Sequence, residues 1–146
     1  MGLLMAAISC ALALGPCAEP APLAASPAER FAISYERSGG FAAMPQKLTI
    51  RPGRHATVTA LDAHGQRRSV EFRVAAKKVE RLRAAAEAAR IGDLAPSAPG
   101  SCADCFVYSV SYRGETASVA EVDVPARMRG LVNRAEALIG AHLPFH

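Results

Sequence analysis

Tryptophan is absent from this chain of 146 residues, and aromatic side chains make up 5% of it. So thin an aromatic content leaves no platform on which successive bases could stack. Beyond the N-terminal 20 residues no apolar run approaches the roughly 20 residues that a membrane-spanning helix needs. Cysteine, at four residues, is too sparse for a scaffold in which disulfides replace a core. Familiar catalytic signatures are missing as well: there is no G-x-S-x-G elbow, no H-E-x-x-H, no P-loop and no dinucleotide fingerprint. From these absences the expectation is a protein that is not an enzyme, with no cofactor and no bound metal.

What is there is ordinary in bulk. Apolar residues are 51% and charged residues 21%, the composition of a folded globular chain long enough to bury a core within one domain. The formal net charge of +4 is unevenly spread. Over residues 30–83 there are twelve basic and four acidic side chains, whereas 84–146 holds five and seven. Such a positive half reads either as a solvated face or as a contact for an anionic lipid or an acidic protein.

Residues 1–15 (MGLLMAAISCALALG) carry no charge; the first charge is Glu19 and the first basic side chain is Arg30. The run is short for a spanning helix and matches the apolar region of an export signal, although only the α-amino group supplies the usual leading positive charge. Residues 1–18 are therefore read as a signal peptide or lipoprotein signal. Cys17 stands where a lipidated cysteine would stand; the alternative is cleavage near Ala18 or Ala24-Ala25. Residues 19–29 (EPAPLAASPAE) form an Ala/Pro-rich linker in which Pro20, Pro22 and Pro27 oppose a regular helix. The expected location is periplasmic or secreted, with the membrane engaged only through the signal or a lipid anchor. Export removes nucleic acid from the expected partners.

Residues 30–146 read as a single α+β domain of order β-β-β-β-α-β-β-α. Alternation of apolar and polar residues marks strands over 31–37, 47–51, 55–61 and 69–74, with turn signals at Ser38-Gly39-Gly40, Pro52-Gly53 and Asp62-Ala63-His64-Gly65. The period then changes to helical over 75–90, where Val79, Leu82, Ala86 and Ala89 share a face. Gly92 is the expected C-terminal cap. Strands follow over 106–112 and 116–122. Asp123 is placed to cap a second helix, with Pro125 in its first turn and Gly140 at its end. That helix carries an apolar stripe of Met128, Leu131, Val132, Ala135, Leu138 and Ile139. The architecture implied is a mostly antiparallel sheet with both helices packed on one face.

Cys102-Ala103-Asp104-Cys105 is a C-x-x-C that leads into a strand, not into the helix that a thioredoxin-type dithiol requires. It reads as a small disulfide loop formed in an oxidising compartment, with free thiols, a redox pair or half a zinc site as alternatives. Further zinc ligands would have to come from His55, His64, His142 and His146. Glu121 and Asp123, paired carboxylates at a strand end, read as an exposed side chain beside a helix cap. Gly39-Gly40 admits backbone conformations with positive φ, so the loop is able to present Phe41 at an edge or to fold it back onto the core.

The string Tyr35-Glu36-Arg37-Ser38-Gly39-Gly40-Phe41-Ala42 resembles the opening strand of the emfourin family of small bacterial proteins. Asp104-Cys105-Phe106-Val107-Tyr108 is similar to that family's D-x-F-x-Y, and Val122-Asp123-Val124-Pro125 with the apolar helix after it resembles the family's end. The likeness covers about 30–142. It departs from the pattern in the export signal, in an extra hairpin over about 52–68, and in Cys102 and Cys105 around Asp104. Emfourins inhibit thermolysin-like metallopeptidases. The resemblance therefore implies an inhibitor, expected to be monomeric, whose partner is a metallopeptidase. Its motif residues would be Glu36, Arg37, Asp104, Phe106 and Tyr108, and its inhibitory loop Ser38, Gly39, Gly40 and Phe41.

Overall fold

The computed structural model describes residues 26–40, 45–95, 97 and 102–143. Six strands form one antiparallel sheet: β1 (Ile33–Gly39), β2 (Gln46–Arg51), β3 (His55–Leu61), β4 (Arg67–Arg73), β5 (Phe106–Tyr112) and β6 (Glu115–Ala120). Their spatial order is β4-β3-β2-β1-β5-β6, a four-strand meander to which a hairpin is added on the β1 side. Helices α1 (Ala76–Ala89) and α2 (Ala126–Ala141) pack against each other and cover one face. The fold is thus α+β with the element order read from the sequence.

Period-two alternation builds the core. Ile33 and Tyr35, Leu48 and Ile50, Ala56 and Val58, and Tyr108 and Val110 all turn to the helices and are buried. Val79, Leu82, Ala86 and Ala89 meet them from α1, as do Met128, Leu131, Val132, Ala135, Leu138 and Ile139 from α2. Every residue of both expected stripes is buried. The opposite face of the sheet is polar. In register across five strands it carries Thr57, Thr49, Ser34, Ser111 and Thr116. Neighbouring hydroxyls pair there, Ser109 with Ser118 at 2.8 Å and Ser111 with Thr116 at 2.9 Å.

Several element ends differ from the sequence reading. The described part of the linker is bound into the domain. Ala28 is 2% exposed, Gly53 N–H donates to the Glu29 carbonyl oxygen, and the Glu29 carboxylate accepts from Arg54 Nε at 2.6 Å. Strand β1 extends through Gly39, because Ser38 and Gly39 stay paired with Val107 and Phe106. Helix α1 ends not at Gly92 but at Arg90, which takes the left-handed conformation at φ 50°. Stopping there turns Ile91 into the core. Arg127 from α2 reaches the freed carbonyl of Ala89 and that of Asp93, both at 3.1 Å.

Asp123 does not cap α2. Glu121–Asp123 forms a single 3₁₀ turn, Pro125 occupies the cap position with no side-chain cap bond, and the helix proper starts at Ala126. The 3₁₀ turn lets Val124 pack on the core, and this moves the Asp123 carboxylate back out of capping reach. At the other end α2 runs one residue past Gly140. There His142 Nδ1 donates to the Leu138 carbonyl oxygen at 3.0 Å, and the imidazole stacks on Phe72 with ring centres 3.6 Å apart.

Candidate functional site

Of the residues singled out by sequence, Arg37, Gly39, Gly40, Phe106 and Tyr108 meet at one end of the sheet, where the C-terminus of β1 lies against the N-terminus of β5. Arg37 follows Ile33 and Tyr35 on the helix-covered face, one step beyond the dry core. Its Nη1 donates to Glu136 Oε2 of α2 at 2.7 Å, and its Nη2 donates to Gln46 Oε1 of β2 at 2.6 Å. The guanidinium also lies over the Phe106 ring, 4.6 Å from its centre. The other Glu136 oxygen accepts the Tyr35 hydroxyl at 2.5 Å. One carboxylate therefore ties β1 to α2 through a cation and a phenol. Both ionic partners are about three-quarters buried, 23% and 26% exposed, so water screens the pair weakly.

This arrangement sets the titration of the tyrosines. Burial first, and then the hydrogen bond into the Glu136 carboxylate, push the Tyr35 hydroxyl far above its ordinary value. Tyr108 stacks on Tyr35 with centres 6.1 Å apart and is also raised, by burial and then by the negative charges of Glu121 and Glu136. Neither phenol is poised as a base or a nucleophile.

Beyond Arg37 the chain turns on two glycines whose geometry is specific. Gly39 has φ +82°, and a Cβ there would stand 2.7 Å from the Cys105 carbonyl oxygen. Gly40 has φ +71°, and a Cβ there would meet the Phe106 ring. The Gly40 N–H donates to that same Cys105 oxygen at 3.1 Å. Absence of side chains is therefore what lets the β1 end close onto Cys105-Phe106. Cys102 and Cys105 form a disulfide, their Cα atoms 5.5 Å apart, which closes the turn on which the glycines rest. Glu121 reaches the same corner, its Oε2 3.4 Å from the Phe106 amide nitrogen.

The structure separates the motif residues into two groups. Arg37, Gly39, Gly40, Phe106 and Tyr108 converge as described, and all five are engaged in packing. Glu36 lies on the opposite, open face, 4.0 Å from Lys47. Asp104 is exposed within the disulfide turn, and Ser38 is half-buried opposite Val107. Phe41 and Cys17 lie outside the described residues. The sequence reading missed Gln46 and Glu136. Glu136 sits 99 positions from Arg37, and its only local signal was a lone carboxylate beside the apolar stripe of α2.

Chemically the corner is a brace: a buried-edge ion pair, an aromatic under a cation, and two glycines locked on a disulfide-closed turn. Among the described residues no group of three or more His, Cys, Asp or Glu is placed to hold a metal ion. Among them, too, no helix is long and apolar enough to cross a membrane. No protein-family model matches the chain, and comparison with curated proteins finds no match.

Proposed function

We propose that this protein is an exported inhibitor of a thermolysin-like metallopeptidase, which occludes the peptidase cleft without performing chemistry. The docking element of this reading is the loop that begins at Ser38-Gly39-Gly40 and continues into Phe41. The observation that carries it is the double anchorage of the loop's first residues: Gly40 is held on the Cys105 carbonyl, and Arg37 is fixed by Glu136, Gln46 and Phe106. A segment whose base is immobilised before binding loses less entropy on docking, and this is what an inhibitor that must outlast its target requires. The resemblance of the Glu36-to-Phe41 string to emfourins supplies the partner class.

The purified protein at micromolar concentration should inhibit such a peptidase and survive uncleaved. Phe41→Ala should raise the inhibition constant by more than about 30-fold, the effect of losing an aromatic anchor worth about 2 kcal/mol, with the melting temperature unchanged. A Phe41→Ala variant that melts earlier but inhibits as well as wild type would place the docking surface elsewhere. Peptidases that stay fully active across a panel would overturn the inhibitor reading itself. A second reading, a non-enzymatic cell-envelope domain working through its basic face, draws on the twelve basic against four acidic side chains of residues 30–83.

A further inference from the structure

The outer surface of the helix pair is creased by a groove of about 220 Å³ between α1 and α2. Its floor is Leu82, Ala137 and Leu138, and its walls are Lys78, Arg81 and Arg134. The three cations are exposed, and no acidic side chain among the described residues pairs with any of them. The acids of the two helices are engaged elsewhere or turned away. Glu87 is held by Arg83 and Arg113, Glu136 by Arg37 and Tyr35, and Glu80 does not line the groove. Among the described residues, none neutralises this cluster.

We propose that the groove docks the domain on the anionic phospholipid headgroups of a bilayer. Two guanidinium groups and an ammonium around one shallow trough suit phosphate esters: arginine offers paired donors to phosphate oxygens, and lysine adds a point charge. The apolar floor gives the long stems of Lys78, Arg81 and Arg134 a surface to lie along while their charged ends reach outward. An acidic protein partner fits less well. Neither helix carries an aromatic residue, so this surface lacks the rigid anchors that dominate protein interfaces. The uncharged run over 1–15 and the Ala/Pro linker after it read as an export or lipoprotein signal, which would carry the chain past a membrane surface. Contact through the helices would add to any N-terminal anchor and leave the hydroxyl-bearing sheet face outward. This inference stands independently of the inhibitor reading.

Vesicle sedimentation of the full chain tests it, with vesicles of phosphatidylcholine alone and vesicles that also contain phosphatidylglycerol. The N-terminal run contributes to both, so the readout is the ratio of the two partition coefficients. That ratio should favour phosphatidylglycerol and fall as salt rises. Each groove cation removed should lower it about fivefold, and Lys78→Gln/Arg81→Gln/Arg134→Gln together about 100-fold. Lys47→Gln/Arg51→Gln/Arg67→Gln, an equal loss of charge on the open sheet face, should leave most of the preference intact. If the groove triple variant misfolds, Lys78→Gln alone carries the test through its fivefold change. Equal partition onto the two vesicle types overturns the proposal. So does an equal loss in both triple variants, which would mean that net charge alone matters. Polyglutamate binding that depends on the groove, without any lipid preference, would likewise overturn it and assign the surface to an acidic protein.

Discussion

At Gly39 a single hydrogen in place of a methyl group decides whether β1 can close on β5. The Cys105 oxygen that would clash with a Cβ belongs to the backbone of a disulfide-closed turn and cannot swing aside as a side chain would. Gly39→Ala should therefore carry two penalties. The left-handed backbone alone costs a non-glycine residue about 1–3 kcal/mol, and displacement of the Cys105 turn adds to it. Gly65, in the β3–β4 hairpin, has φ +71° and nothing within 4 Å of its virtual Cβ, so Gly65→Ala should show the conformational penalty only. Urea unfolding of the two variants measures the difference. Equal losses would mean that the Cys105 contact does not constrain the loop. The glycines were visible in the sequence as a strand stop. Their use as a close-packing surface was not, because the atoms they approach lie more than sixty positions away.

The apolar stripes of the two helices could be read from sequence spacing, and every member of each is buried. Leu131, at 0% exposed, faces the sheet from the middle of α2. Leu131→Ala should destabilise the protein by about 2–5 kcal/mol, the range for emptying a leucine-sized volume in a packed core. Asp123→Ala should change stability by no more than about 0.5 kcal/mol, since its carboxylate caps nothing, whereas a true N-cap loss costs roughly 0.5–2 kcal/mol. Thermal melts of both variants decide the matter. A near-neutral Leu131→Ala would contradict the packing of α2, and a large loss for Asp123→Ala would contradict its position before the helix. Helix ends were the less legible feature. Arg90 and Pro125 stand where glycine and aspartate were expected, because burial of Ile91 and Val124 sets where each chain segment must turn.

Over the whole molecule, the three tyrosines share the helix-covered side of the sheet, and burial raises the titration of all three. Their ordinary value is 10.0. The unfolded chain therefore releases these protons first as the pH rises through about 10, while the folded chain keeps them. A raised folded-state value stabilises the fold in full below the unfolded value and is lost above it. Stability should thus be level on the acid side of that point and fall above it. Tyr35, 0% exposed, should contribute a slope approaching about 1.4 kcal/mol per pH unit. Chemical denaturation between pH 8 and 11 tests this, with Tyr35→Phe expected to flatten the alkaline decline. A decline of equal steepness in Tyr35→Phe would mean that other groups drive it.

The class of the fold, the order of its elements and the buried faces of its helices all follow from local rules, because periods of 2 and 3.6 residues report directly which side of an element is dry. Where the second hairpin joins the meander is not a local property. The free edge of β4 carries Arg67, Arg68, Glu71 and Arg73, charges that oppose addition of a further strand. The edge of β1 offers Ile33 and Tyr35, whose rings and methyl groups need cover from Tyr108, Val110 and Tyr112. Only that choice brings Cys105 and Phe106 to the glycines, while the packing of α2 over β1 and β2 sets Glu136 against Arg37. The candidate site is thus made of residues whose types were readable in the chain and whose partners were assigned by packing. Ion pairs and close backbone approaches between distant segments leave no periodic trace in either segment alone.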